Sequence, residues 1–248
     1  MIDLHSHVLP GLDDGAADLE EAVAICRAAA ADGITVLAGT PHVRRRDYPT
    51  TAAQIENALA TLRAEVGGLV RLVPGGEIDL AELDRPRGEL TRFALAGNPA
   101  YLLVEMPYTG WPLDLADRLF RLSTSGVTAV LAHPERNAAV QEQPALLEPV
   151  VAGGTLVQLT AASVDGRGGR RSKVCSADLL ERGLAHLIAS DAHAPAVRAV
   201  GMAAAAKSVG DEALARWLTV DVPRAIVENE PLPPRPAPSR AQRPFFTH

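Results

Sequence analysis

The chain runs to 248 residues, long enough for one (β/α) barrel and short for two ordinary domains. Its hydrophobic fraction of 47 % supplies a sizeable core, while a formal net charge of −6 and an aromatic content of 4 % argue against nucleic acid as the main partner. No apolar run reaches the roughly 20 residues that span a bilayer, no basic and apolar leader opens the chain, and Cys26 and Cys175 show no C-x-x-C spacing, so a reduced cytoplasmic protein without membrane insertion is expected.

Strand-like apolar runs alternate with Ala- and Leu-rich stretches of helical periodicity, the pattern of parallel βα units. A strand at 2–6 leads to a helix over 18–32, opened by acidic Asp18, Glu20 and Glu21 and ended by Gly33. A strand at 34–40 precedes a helix over 51–66, capped by Thr50 or Thr51 and stopped by Gly67-Gly68. Strands at 70–77, 101–106, 127–132, 155–160 and 186–190 bring the total to seven, interleaved with helices over 113–125, 143–152, 172–183, 196–207 and 211–227. The Gly-rich stretch 165–169 reads as a mobile loop after the sixth strand. From Glu230 onward Pro231, Pro233, Pro234, Pro236, Pro238 and Pro244 crowd together. Residues 230–248 are therefore expected to form an extended, poorly packed, flexible tail on a barrel domain of residues 1–229.

Ligand-type residues punctuate the strand ends. His5, His7, Asp14, His42, Glu77, Glu105, His133, Asp191 and His193 each stand at or just past the end of an apolar run. Barrel active sites lie at the C-terminal ends of the strands, so a closed ring brings these nine donors to one mouth. A single buried histidine is often only a hydrogen-bonded barrel residue, and a buried carboxylate such as Glu105 demands a partner. Mutual ligation satisfies all of them at once, and nine donors suit two or three ions rather than one. His5 and His7 alternate on one strand, so both imidazoles point to the same side. Asp191 and His193 repeat that spacing. Asp13 beside Asp14 leaves the choice between the two open, and Gly75-Gly76 before Glu77 is expected to let the backbone crowd the metal site.

A centre of this kind lowers the pKa of a bound water and neutralises phosphate charge, so phosphoryl chemistry is within reach. Arg136 follows His133 closely, and Arg198 follows His193 by five residues. A guanidinium at either place can hold phosphate oxygens through two hydrogen bonds, although position alone allows an ordinary surface arginine equally well. Arg44-Arg45-Arg46, directly after His42, reads either as an attractor for an anionic substrate or as a solvated charge run. Neither cysteine sits in a phosphate-binding C-x5-R loop, and no nucleophile elbow or P-loop appears, which leaves metal-bound water as the nucleophile.

Residues 1–15 (MIDLHSHVLPGLDDG), Thr40-Pro41-His42 with its basic follow-on, Gly76-Glu77-Ile78, Val104-Glu105, the run Ala132 to Arg136 (AHPER) and the run Ile188 to His193 (IASDAH) together resemble the PHP-type (polymerase and histidinol phosphatase) bacterial tyrosine phosphatases. The resemblance covers about residues 1–228. It implies a distorted (β/α)7 TIM-like barrel, the PHP fold, with a manganese-dependent trinuclear centre attacking through a metal-bridging hydroxide. By position it gives His5, His7, Glu77 and Asp191 to the first ion, bridges Glu77 to a second ion held by Glu105 and His133, and gives Asp14, His42 and His193 to the third. Arg136 and Arg198 match its phosphate-holding arginines, with Arg44 and Arg45 as further substrate-binding candidates. Val222-Pro223 departs from the family's usual Asn-Pro, and the stretch 165–171 does not align, so substrate selection is less firmly carried over.

The expected function is phosphotyrosine hydrolysis on a protein, the tyrosine-bearing tail of a bacterial kinase of capsule or exopolysaccharide synthesis. The cofactors expected are two or three divalent ions, manganese first, with iron, zinc, cobalt or magnesium as alternatives. The rival readings are a small-molecule phosphoesterase of the same fold, acting on histidinol phosphate or a nucleotide, and a non-catalytic metal-binding regulatory domain.

Overall fold

The structure is a computed structural model and describes residues 1–194 and 199–237. Nine short strands are found there: β1 (Ile2–Asp3), β2 (Val36–Gly39), β3 (His42–Val43), β4 (Arg71–Pro74), β5 (Glu77–Asp79), β6 (Tyr101–Glu105), β7 (Thr128–Ala132), β8 (Leu156–Thr160) and β9 (Leu187–Ala189). Every pairing between them is parallel, in the orders β1-β2-β4 and β3-β5-β6-β7-β8-β9.

These nine pieces make seven barrel positions. β2 and β3 are one extended run broken at Thr40-Pro41, where proline has no N–H to give to a ladder. β4 and β5 are likewise one run, broken at Gly75-Gly76. Hydrogen bonds carry the ladder across both breaks, from Thr40 N to Ser6 O at 2.8 Å and from Glu77 N to Pro41 O at 3.0 Å. The ring closes where Ser6 bridges Ala192 in parallel, with His7 N donating to Ala192 O and Asp191 N to His5 O, each at 2.8 Å. The seven expected strands thus correspond one to one with the staves of a distorted (β/α)7 barrel. β7, β8 and β9 read as near-continuous apolar runs because a parallel barrel strand is covered by side chains inside and helices outside.

The longer helices fall where their signals placed them. Helix Leu19–Ala31 is capped by Asp18, whose carboxylate accepts from Glu21 N at 2.9 Å, and Gly33 leaves it at a φ of +85°. Helix Ala52–Val66 opens with a reciprocal capping box between Thr51 and Gln54. Helices Leu115–Thr124 and Arg170–Glu181 follow the expected spans within a few residues. The span 143–152 is a tight turn, Pro144–Leu147, running into helix Glu148–Ala152. Of the span 196–207, residues 196–198 lie outside the described residues and the helix seen is Met202–Ser208. The last span contains a widened turn at Trp217–Asp221, just before Pro223, whose missing N–H removes a bond of the regular helix.

Short turns of helix at Leu80–Asp84, Arg87–Leu90, Ala138–Glu142 and Ala161–Asp165 escaped the sequence reading, being too brief to show a period. The stretch read as a mobile loop is a tight turn. Gly168 N donates to Ala162 O at 2.6 Å, and Arg167 pairs with Asp165 at 2.7 Å and donates to Ala199 O at 2.9 Å.

The proline-rich segment is extended over 231–237, where none of its residues is buried, and it is attached to the barrel at two points. Arg235 donates to Ala185 O at 2.9 Å and Leu180 O at 2.7 Å, its guanidinium lies 5.5 Å from the Trp217 ring centre, and Trp217 Nε1 donates to Pro233 O at 3.0 Å. Residues 238–248 lie outside the described residues. Among the described residues no helix is long and apolar enough to cross a membrane.

Candidate metal centre

All nine candidate donors converge at the C-terminal mouth of the barrel, in overlapping groups whose ligand atoms lie within 4.8 Å of one another. His5 and His7 follow β1, and their Nε2 atoms are 3.2 Å apart, as the alternation on one strand requires. Asp191 Oδ1 faces both, at 3.4 Å from His5 Nε2 and 3.3 Å from His7 Nε2. His42 and Glu77 stand at the interruptions of their staves, opening β3 and β5 rather than ending a strand.

Glu77 is the hub. Its Oε1 lies 2.8 Å from His133 Nε2 and 3.5 Å from His5 Nε2, and its Oε2 lies 2.8 Å from His42 Nδ1 and 3.4 Å from His7 Nε2. Glu105 joins from the end of β6, with Oε1 3.9 Å from His133 Nε2 and Oε2 3.7 Å from His42 Nδ1. The other face of His42 and the Nε2 of His193 each lie 3.4 Å from Asp14 Oδ1.

Asp13 and Asp14, adjacent in sequence, are separated in role by this geometry. The Asp14 carboxylate is 41 % exposed and faces the histidines from the mouth. The Asp13 carboxylate is buried behind them, accepting from His7 Nδ1 at 2.6 Å, His42 N at 2.8 Å and Gly15 N at 2.9 Å. Gly15 makes this loop possible, because a Cβ there would meet His7 O at 2.1 Å. Gly75 and Gly76, by contrast, do not bring backbone against the donors. A Cβ at Gly75 would meet Thr40 Cγ2 at 2.7 Å and one at Gly76 would meet Val43 Cγ2 at 2.9 Å, so these glycines permit stave-to-stave packing.

The electrostatics are those of a buried, densely charged cluster. Burial alone would raise the carboxylates, yet His5 and the neighbouring imidazoles hold Glu77 well below the usual range, and His5 and His7 do the same for Asp191. Burial would likewise lower His5, but Glu77 and Asp191 lift it to about 9. Asp13 overcomes the same penalty at His7, which is raised well above its ordinary value, while Asp13 itself falls to about 2. Glu77 Oε2 and His42 Nδ1 are buried 2.8 Å apart without hydrogen-bond alignment, and Glu105 Oε1 is buried with no hydrogen-bond partner. Buried polar atoms left in this way are costly, and divalent cations shared among mixed imidazole and carboxylate donors satisfy them. The residues present fit such ions.

Two more features shape the centre. His133 (φ +33°) and Asp191 (φ +53°) adopt left-handed backbone, a conformation unfavourable to residues with a Cβ, and such strain gathers at functional sites. Arginines meet the carboxylates from outside. Arg136 Nη1 donates to Asp191 Oδ2 at 2.6 Å, and its guanidinium lies 4.8 Å from the Tyr108 ring centre. Arg44 donates to Glu105 Oε2 and its Nε lies 3.6 Å from Asp79. Of the basic run, Arg44 therefore faces the centre, while Arg45 and Arg46 are exposed. Arg198 lies outside the described residues.

Four neighbours of the donors are not marked by the strand-end pattern. Gln158 Oε1 accepts from His5 Nδ1 at 2.9 Å, leaving Nε2 toward the cluster. Its signal was an amide inside the otherwise apolar run of β8. Glu135 Oε1 accepts from Thr160 N at 3.0 Å beneath the site. Tyr48 stacks on His42 at 5.4 Å, and Tyr108 lies parallel to His133 at 5.7 Å, contacts that leave no trace in spacing.

A closed parallel barrel with a buried imidazole and carboxylate cluster at its C-terminal mouth is the framework of a metal-dependent enzyme. The chain belongs to the capsular polysaccharide synthesis family CpsB/CapC, which it matches over residues 1–228. It is 34 % identical to the tyrosine-protein phosphatase YwqE of Bacillus subtilis (strain 168) over 197 residues, 78 % of this chain and 77 % of that one. To the tyrosine-protein phosphatase CpsB of Streptococcus pneumoniae it is 27 % identical over 93 % of this chain and 99 % of that one. A solved structure described as one of the unique metal-dependent tyrosine phosphatases YwqE and CpsB superposes with a TM-score of 0.84 at 28 % identity, covering 96 % of this chain and all of the other.

Proposed function

We propose that this protein is a metal-dependent phosphatase that hydrolyses phosphotyrosine on a protein of capsule or exopolysaccharide synthesis. The observation that carries the reading is the convergence of all nine donors at one mouth, in overlapping groups of which Glu77 joins two, on a chain whose relatives bear the names of tyrosine-protein phosphatases. The substrate proposed is the tyrosine-bearing tail of a bacterial kinase, met in the cytoplasm. The cofactors proposed are two or three divalent ions, manganese first, held by His5, His7, Glu77 and Asp191, by Glu77, Glu105 and His133, and by Asp14, His42 and His193.

Such ions supply an activated water at neutral pH and neutralise phosphate charge. The chain's own residues do the rest. Asp13 and Gln158 fix the ring orientation of His7 and His5. Arg136, held against Asp191 and packed over Tyr108, presents its remaining N–H groups at the mouth for nonbridging phosphate oxygens, and Arg198 is proposed as its counterpart. Tyr108, 41 % exposed, and Leu113, 95 % exposed, offer apolar surface on the loop after β6 to an incoming aromatic ring. Neither cysteine takes part, since Cys26 and Cys175 are buried and burial pushes both thiols up to about 12.

The test is a comparison of purified protein on a phosphotyrosine peptide, a phosphoserine peptide and histidinol phosphate, with and without added manganese, alongside elemental analysis. Metal-dependent turnover confined to the phosphotyrosine peptide is the expected result. Preference for histidinol phosphate would overturn the assignment.

A further inference from the structure

Away from the metal centre the chain gathers arginines around a pair of cavities that the phosphatase reading does not use. One, of about 420 Å³, is lined by Arg45, Arg85 and Arg92 together with Thr50, Thr51 and Phe93. The other, of about 210 Å³, is lined by Arg85, Arg87, Arg118 and Arg121 with Asp84. Arg85 belongs to both walls, so the two cavities adjoin.

The pair is wired to the mouth through a buried carboxylate. Arg44 donates to Glu105 inside the centre, and the next residue, Arg45, gives its backbone N–H to Glu82 Oε1 at 2.8 Å. Glu82, 7 % exposed, also takes Arg85 through Nε at 2.7 Å and Nη2 at 2.6 Å. Glu82 therefore fixes Arg45 and Arg85 as the near end of an arginine surface that begins one residue beyond the metal-facing guanidinium. At its far end Arg118 is held by Asp114 at 2.6 Å. Arg87, Arg92 and Arg121 are exposed and form no ion pair among the described residues.

This is an unusual concentration of cation on a chain of formal net charge −6. Six guanidinium groups line the two cavities, against the carboxylates of Asp84 and Glu89 in the walls and Glu82 beneath. Planar forks of N–H donors match phosphate oxygens in pairs, and arginine clusters are a recurring means of reading phosphorylated peptide. The exposed guanidinium groups of Arg87, Arg92 and Arg121, without an ion pair among the described residues, are placed to meet an anion in these cavities.

We propose that these cavities bind a second phosphorylated residue of the same protein substrate while a phosphotyrosine occupies the metal centre. The inference rests on the phosphatase reading and adds a substrate class to it: segments carrying two or more phosphates in sequence. Holding the second phosphate raises the effective concentration of the first at the mouth. The gain falls on KM and leaves the chemical step unchanged.

The test uses the manganese-loaded full chain with three substrates: para-nitrophenyl phosphate, a peptide with one phosphotyrosine in neutral surroundings, and a peptide with two phosphotyrosines about six to ten residues apart, a spacing that reaches roughly 20–35 Å when extended. In the wild type the doubly phosphorylated peptide should show a KM lower by about tenfold, the worth of one charge-assisted contact. The combined variant Arg87→Ala, Arg92→Ala, Arg121→Ala should erase that advantage, with para-nitrophenyl phosphate turnover unchanged. A control of equal charge, Arg27→Ala, Arg71→Ala, Arg170→Ala, should keep it. An advantage that survives in the first variant, or that is absent from the wild type, would overturn the proposal. So would tighter calorimetric binding of an acidic polysaccharide than of the doubly phosphorylated peptide to the same arginines. If no substrate turns over, the phosphatase reading fails by itself, and calorimetry of the doubly phosphorylated peptide on wild type and variant still decides the cavities.

Discussion

His7 and Asp13 are locked together: His7 Nδ1 donates to Asp13 Oδ2 at 2.6 Å, and the same oxygen accepts His42 N at 2.8 Å. One carboxylate thus sets the ring of one donor and the backbone of another, on different staves. Asp13→Asn keeps the shape but loses the charge that favours His7 Nδ1–H. It should lower metal affinity or kcat/KM by about 10- to 100-fold, the usual cost of losing such a support, while the protein stays folded. Metal titration with circular dichroism as the folding control checks it, and wild-type affinity would remove Asp13 from any positioning role.

Glu77 touches His5, His7, His42 and His133, so its loss should be felt by every ion in the centre. Glu77→Gln is expected to abolish measurable turnover and to lower metal content more than Asp14→Ala does, since Asp14 meets the cluster only from its open side. Elemental analysis of both variants after identical purification measures the difference. Equal metal loss in the two would contradict the hub.

Arg136 should matter for rate and not for metal. A charge-assisted contact to phosphate is worth roughly 1.5–3 kcal/mol, about 10- to 150-fold in rate if made in the transition state. Arg136→Ala is therefore expected to reduce kcat/KM by at least about tenfold with metal content unchanged. Lysine should rescue only in part, because a point charge does not reproduce the planar fork. The same series at Arg198 tests its proposed partnership. Steady-state kinetics on a phosphotyrosine peptide with parallel metal analysis reads both.

Burial makes the thiols bystanders. With both raised to about 12, alkylating reagents at pH 7.5 should leave Cys26 and Cys175 largely unmodified in the native protein, and chelators should stop turnover where alkylation does not. Inactivation by alkylation with metals retained would redirect the mechanism to a thiol.

His186 provides a pH signature of the fold. Burial first, and then the neighbouring Arg235, lower its pKa from 6.5 to about 4, and its Nδ1 accepts Val157 N at 3.1 Å, as a neutral ring must. Between those values the unfolded chain binds a proton that the folded chain refuses. Stability is therefore expected to fall as pH drops from 6.5 to about 4, by up to about 1.4 kcal/mol per pH unit, and to lose nothing more from this group below that window. His186→Gln should flatten the slope relative to wild type in urea denaturation of the metal-free protein. Parallel slopes would refute the assignment.

The barrel and its donors were legible because two physical signals coincide in them. A stave covered on both sides reads as a short unbroken apolar run, and a charged or imidazole side chain ending such a run has no reason to be there without a partner. Leu102 to Glu105 and Val130 to His133 are such runs. What stayed hidden depends on direction rather than on type. Asp13 and Asp14 are the same residue twice, and only the fold turns one behind His7 and the other toward the mouth. Arg44 and Arg45 differ in the same way. The breaks at Thr40-Pro41 and Gly75-Gly76, which place His42 and Glu77 inside their staves, bring together residues 35 positions apart: a Cβ at Gly75 would meet Thr40 Cγ2 at 2.7 Å, a proximity that sequence spacing does not show. The attachment of the proline segment was not legible because composition reports on what a chain lacks, whereas one arginine, Arg235, donates to Ala185 O and Leu180 O.

The closure of the barrel at Ser6 and Ala192 also fixes an order of events during synthesis. Ser190 N reaches back to Asp3 across 187 positions, and Asp191 and His193 are the last donors to be made. A chain without them would carry His5, His7, Asp14, His42, Glu77, Glu105 and His133 but would lack the contacts that close the ring on the first stave. The proposed ligand set would therefore be complete only once nearly the entire barrel is present, and a chain that stops before Asp191 would lack two of its nine members.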